Sequence, residues 1–170
     1  MAETSGIERR IMVTVDEGDE SMYALSWCLK NLAFQNDKDH LILLYVKPPR
    51  VVYSAFDGTG SFVVTRYLFS SDITATMERV SQQVAEGVLE RAKGLCNNVE
   101  NVEVKAESGD PRDVICQMVQ KWGVDVLVMG SHGYGVIKRA FLGSVSNHCA
   151  QNVKCPVVIV KKPKSTAGEI

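Results

Sequence analysis

No stretch of this sequence approaches the ~18 consecutive apolar residues that a membrane-spanning helix needs. The first ten residues, Met1–Arg10, are polar and charged and lack the apolar centre of a secretion signal. The chain is therefore expected to stay inside the cell, in the cytoplasm. Charge of one sign is also missing: 19 basic against 20 acidic residues leave a formal net charge of -1. No broad field exists to draw in nucleic acid or an anionic membrane, and neither partner is expected. The basic clusters Arg9-Arg10 and Lys161-Lys162-Pro163-Lys164 read as solvated ends, with a nuclear address as the rival reading. The five cysteines, Cys28, Cys96, Cys116, Cys149 and Cys155, are odd in number and contain no C-x-x-C pair. Four of them stand beside apolar helix or strand positions, where a free thiol behaves as a small buried hydrophobe, and no metal site is expected.

Chemical signatures are sparse too. There is no H-x-x-x-H, H-E-x-x-H or G-x-S-x-G, so neither a zinc peptidase nor a serine hydrolase is indicated. No G-x-x-x-x-G-K-[ST] occurs, and no G-x-G-x-x-G follows the first apolar run, which removes the P-loop and the dinucleotide fingerprint.

What is present is an alternation of strand and helix patterns over 170 residues, enough for one domain, 1–170, with a real core. The short apolar runs Ile11–Val15, Leu41–Val46, Val124–Met129 and Val157–Val160 suit strands buried on both faces. Val99–Ala106 alternates, as a strand nearer a sheet edge does. Between them lie helical patterns. One carries Met22, Leu25, Leu29, Leu32 and Ala33, with Asp19 or Ser21 as its cap. A long one, Ile73–Leu95, has the stripe Ile73, Met77, Val80, Val84, Val88, Ala92 and Leu95. A third opens at Asp110-Pro111 and buries Val114, Ile115, Met118, Val119 and Trp122. The last, Ser144–Val153, places Val145, Cys149 and Val153 on one face. Strands separated by helices predict an α/β fold: a doubly wound, Rossmann-like parallel sheet covered on both sides. Residues 47–70 break the pattern with an irregular insertion holding Tyr53, Phe56, Phe62, Tyr67 and Phe69. It reads either as a segment folded over the protein's own edge or as a lid or partner surface.

The most informative spacing is Gly130-x2-Gly133-x9-Gly143-Ser144, which leaves a buried strand and enters a helix. Glycines let the backbone turn tightly and approach a ligand. The helix beginning near Ser144 offers unpaired N–H groups and the positive end of its dipole, which together suit phosphate. The hydroxyls of Ser144 and Ser146 can add hydrogen bonds. A purely structural turn is the rival reading. Lys138 and Arg139 precede Gly143 and either screen phosphate charge or are solvated.

With Val15-Asp16 closing the first strand, Val46 closing the second, Gly109-Asp110-Pro111, Val128–Gly133 and Cys155–Val160, this glycine spacing resembles the ATP-binding branch of the universal stress protein family, of plant type. The resemblance implies a five-stranded sheet ordered 3-2-1-4-5, an ATP or AMP ligand, with Mg²⁺ possible alongside ATP, and a homodimer paired through Val157–Val160. It implies that Val46 and Val15-Asp16 hold adenine and that Asp16 and Gly130 sit near the ribose. Gly133, Gly143, Ser144 and Val145 would cradle phosphates. Met129, His132 and Ser146 fall in the same motif. Asp16 as a turn cap, and His132 as a hydrogen-bonding surface residue, are the competing readings. A response-regulator fold is disfavoured because the third strand ends Ala106-Glu107-Ser108-Gly109 rather than in an acceptor aspartate, and Asp57 lies in the irregular segment. Functionally, a nucleotide-dependent sensor or switch is expected. A slow ATP hydrolase and a chaperone-like interaction module are the alternatives.

Overall fold

A computed structural model describes residues 8–32, 38–49, 71–133 and 142–163. Ala33, Asp57, the aromatic-rich residues from 53 to 69, Lys138, Arg139 and Lys164 lie outside the described residues. Among the described residues nine elements follow in order: β1 (Arg10–Thr14), α1 (Asp19–Asn31), β2 (His40–Lys47), α2 (Ser71–Gly94), β3 (Val102–Ser108), α3 (Pro111–Lys121), β4 (Val126–Gly130), α4 (Ser144–Asn152) and β5 (Val157–Val160). All strand pairs are parallel, and the sheet order is β3-β2-β1-β4-β5, as the resemblance implies.

The central strands are apolar on both faces because helices cover both. Along β1, Ile11 and Val13 face one core, while Met12 faces the other. Along β2, Leu41, Leu43 and Tyr45 alternate in the same way with Ile42 and Leu44. The first core receives Met22, Leu25 and Cys28 of α1 and Ala85, Val88 and Ala92 of α2. The second receives Val114, Ile115, Met118 and Val119 of α3 and Cys149 of α4. A helical period on each face of a strand period of two gives this two-core arrangement.

The third helix begins as expected. Asp110 is its N-cap, accepting from the Arg112 N–H at 2.9 Å, and Pro111 follows in the first turn. Hydrogen bonds from the Arg112 side chain and main chain hold the Asp110 carboxyl down at about 2.

Three expectations are corrected. The cap of α1 is Gly18, with no side-chain cap, rather than Asp19 or Ser21. The Ser21 hydroxyl instead serves the turn before the helix, hydrogen-bonding the carbonyls of Asp16 and Gly18. The stripe along α2 is buried only toward its C-terminal end, at Val88 and Ala92 with Ala85 beside them. Met77 and Val80 are 59% and 53% exposed, and Val84 and Leu95 are also exposed. Among the described residues the core that this 24-residue helix meets lies against its C-terminal half, so its periodicity continues beyond that contact. In β3 the alternation does not resolve into an inner and an outer set. Val104 and Ala106 are exposed, and the Lys105 ammonium sits 6.0 Å over the Trp122 ring. An edge strand is covered on one side only by what reaches it.

All five cysteines are free. Burial pushes the Cys28 and Cys149 thiols up from 9.0 to about 12, and Cys96 to about 11. Each folded-state value lies above the unfolded one. Their contribution is thus fully present below pH 9.0 and is lost as pH rises toward about 12. The thermal midpoint should fall between pH 9 and 11, and Cys28→Ala should flatten that fall. An equal slope in wild type and variant would contradict the assignment.

Candidate functional site

The sheet order reverses between β1 and β4, and a crevice opens beyond the carboxyl ends of the strands there, the usual ligand position in open α/β sheets. It is a cavity of about 380 Å³, within the range of small-molecule sites. It is lined by Thr14, the last residue of β1, by Val15 and Asp16 just after it, and by Met129 and Gly130 of β4. Val46 of β2, Pro48, and Pro111 and Ile115 of α3 give the cavity an apolar slot. Ser144, Val145 and Ser146, the first turn of α4, line the same cavity. The first-turn N–H groups of a helix have no partner within it. The crevice therefore joins an apolar slot to a set of anion-seeking donors.

Of the residues singled out in the sequence, Val15, Asp16, Val46, Met129, Gly130, His132, Gly133, Ser144, Val145 and Ser146 line this cavity together. Gly143 is not part of the lining. It is the N-cap of α4, and its N–H donates to the Ser131 carbonyl at 2.8 Å. Its place is dictated by close approach: a Cβ there would lie 3.0 Å from Ser131 O and 3.2 Å from His132 Cα. Gly130 is likewise a contact of backbones, since a Cβ on it would meet main-chain atoms of Glu20 and Ser21 at 3.2 Å. The Ser146 hydroxyl donates to the Ser131 carbonyl at 2.8 Å and so braces the loop from within.

Asp16 does cap a turn: its Oδ1 accepts from the Gly18 N–H at 2.9 Å. It lines the cavity as well, so the two readings are compatible. The rival reading of His132 as a surface residue is corrected. His132 is buried, because the loop after β4 folds down onto α1.

That contact involves residues the sequence reading missed. Glu20 is 8% exposed, and its Oε2 accepts from the Ser131 hydroxyl at 2.8 Å and from the His132 N–H at 3.0 Å. Ser131 Oγ lies 3.0 Å from His132 Nδ1. Which of the two donates in that contact follows the histidine tautomer. Glu17 lines the cavity and accepts from the Tyr45 hydroxyl at 2.9 Å. Burial first, and then Glu17, push the Tyr45 phenol upward. A signal for Glu20 did exist. It stands four and eight residues before Ala24 and Cys28, in line with a buried stripe where a carboxylate must find donors.

Among the described residues, no group of three or more His, Cys, Asp or Glu side chains gathers as a metal site. No helix among them is long and apolar enough to cross a membrane.

The sequence model of the universal stress protein family matches residues 8–161. Universal stress protein PHOS32 of Arabidopsis thaliana is 27% identical over 172 residues, spanning 98% of this chain and 70% of that protein. The solved structure of MJ0577 from Methanocaldococcus jannaschii superposes with a TM-score of 0.68 at 21% identity, covering 93% of this chain and 99% of that one. A universal stress protein family protein from Arabidopsis thaliana, solved with AMP bound, superposes with a TM-score of 0.62 at 23% identity, covering 91% and 92%. At these identities the superpositions show a shared fold.

Proposed function

The chain belongs to the universal stress protein family, and from that premise we propose that it binds an adenine nucleotide, ATP or AMP, in the crevice between β1 and β4 and acts as a stress-response sensor or switch. The observation that carries this reading is the pairing, in one cavity, of an apolar slot with the N-terminal turn of α4. A purine fits between Val46, Pro48, Pro111 and Ile115, the ribose reaches Asp16 and Gly130, and phosphates meet the donors of Ser144 and Val145 with Gly133 alongside. The relative with AMP bound supports the choice of ligand. Mg²⁺ would arrive with ATP, held mainly by phosphate oxygens, as this small cation prefers. A nucleotide alters what the protein does only by binding two of its states unequally.

Thermal shift with AMP, ATP and GTP tests the proposal. A ligand that binds only the folded state adds ~2.7 kcal/mol at a hundredfold excess over its Kd. A rise with AMP or ATP and none with GTP is expected. No rise with any nucleotide at millimolar concentration would contradict the reading and favour an interaction module.

The homodimer is part of the same proposal. β5 is a sheet edge, paired only to β4 among the described residues, and is made of Val157, Val158, Ile159 and Val160. An apolar edge left bare invites pairing. Light scattering should give the mass of two chains; a single-chain mass at tens of micromolar protein would refute the dimer.

A further inference from the structure

The first turn of α1 touches both loops that border the crevice, and it does so through two adjacent polar side chains that are themselves buried. Ser21 Oγ accepts from the Asp16 N–H at 3.0 Å and hydrogen-bonds the Asp16 carbonyl at 3.2 Å, fixing the loop after β1. Glu20 Oε2 takes the Ser131 hydroxyl and the His132 N–H, fixing the loop after β4. Gly130 lets the two segments meet, because a Cβ on it would come within 3.2 Å of the Glu20–Ser21 peptide. The brace then continues. The Ser131 carbonyl accepts from the Gly143 N–H and the Ser146 hydroxyl, both at 2.8 Å, so the first turn of α4 hangs on the same loop. Glu20 itself does not line the cavity.

We propose that Glu20 is a positioning residue for nucleotide binding: its buried carboxylate sets the Gly130–Gly133 loop, and through Ser131 the phosphate-facing turn of α4, in the geometry that the ligand requires. This rests on the nucleotide reading above. The chemistry explains why a carboxylate is used. Both donors converge on one oxygen, and a charged acceptor makes such bonds shorter and stronger than a neutral one. His132 Nδ1 also lies 3.5 Å from the same oxygen, so the ring stands close against the carboxylate that its own backbone N–H meets. Without Glu20 the Ser131 hydroxyl and the His132 N–H are left without that acceptor in a site with little water, and the loop must move to satisfy them.

Three variants separate positioning from plain stability. Glu20→Gln keeps an oxygen where both donors point. Glu20→Ala removes it. Val88→Ala weakens the first core from α2, away from the crevice. AMP affinity is measured calorimetrically, well below each thermal midpoint, beside amide hydrogen exchange at Ser131, His132 and Gly133. Glu20→Ala should weaken AMP binding by on the order of tenfold or more and speed exchange at the three amides by a similar factor. Glu20→Gln should stay within about threefold of wild type on both measures, the loss expected for a weaker neutral acceptor. Val88→Ala should leave both unchanged. Equal losses in Glu20→Ala and Val88→Ala, or no loss in Glu20→Ala, would overturn the proposal. Wild-type protein that binds neither AMP nor ATP would sink the nucleotide reading and with it the ligand part of this proposal, while amide exchange still decides whether Glu20 sets the loop.

Discussion

Replacing Gly143 by valine is expected to remove measurable AMP binding and to lower the thermal midpoint by several degrees. The backbone there has φ -62°, a value open to any residue, so conformational strain is not the cause. The cause is space. The new Cβ would lie 3.0 Å from the Ser131 carbonyl oxygen and 3.2 Å from His132 Cα, atoms of a backbone that has no rotamer to swing away. Relief comes only by moving the first turn of α4 off the loop after β4. That motion breaks the Gly143 N–H bond and the Ser146 hydroxyl bond to Ser131 O. Two lost bonds and overpacking together cost about 2–4 kcal/mol of stability. The donors of Ser144 and Val145 no longer point where the phosphate would sit, and affinity falls on the order of a hundredfold. Affinity within threefold of wild type would show that this turn does not hold the ligand.

The largest loss of stability is expected far from the crevice, at Arg9. Its guanidinium grips Asp39 through both Nε, at 3.1 Å, and a terminal nitrogen, at 2.5 Å. The Asp39 side chain has no exposed surface, whereas that of Arg9 is 42% exposed. The Asp39 hydrogen bond raises the Arg9 pKa against the opposing effect of burial. The pair joins the entry to β1 with the entry to β2, where the His40 N–H also donates to the Arg9 carbonyl. Arg9→Met leaves a buried carboxylate without its cation and should cost about 3–5 kcal/mol. Arg9→Met combined with Asp39→Leu should recover part of that, since no buried charge is then stranded. Chemical denaturation of the two variants checks this, and a double variant less stable than Arg9→Met would contradict it.

Much of the architecture was legible in the sequence because the central strands are continuous apolar runs and the third helix carries an unambiguous Asp110-Pro111 start. β5 falls where it was read. The crevice was legible because its lining is concentrated at strand ends and at one glycine spacing. Its supports were not. Glu20, Ser131 and Tyr45 act across more than twenty-five residues of sequence, and a hydrogen bond between distant segments leaves no local period to read. The glycines were read as freedom for a ligand to approach. In the structure, Gly130 and Gly143 first admit another part of the protein's own backbone, with the cavity as the consequence. The stripe on α2 misled for the opposite reason: Met77 and Val80 keep a helical period yet stand more than half exposed, so pattern alone overstated burial.

The most direct test of the account is an AMP titration of the isotope-labelled protein followed by backbone amide shifts. Saturable changes are expected at Val15, Asp16, Val46, Gly130, Gly133, Ser144 and Val145, with the exposed face of α2 silent. Changes confined to other surfaces, or none with millimolar AMP or with ATP in its place, would contradict the placement of a nucleotide between β1 and β4.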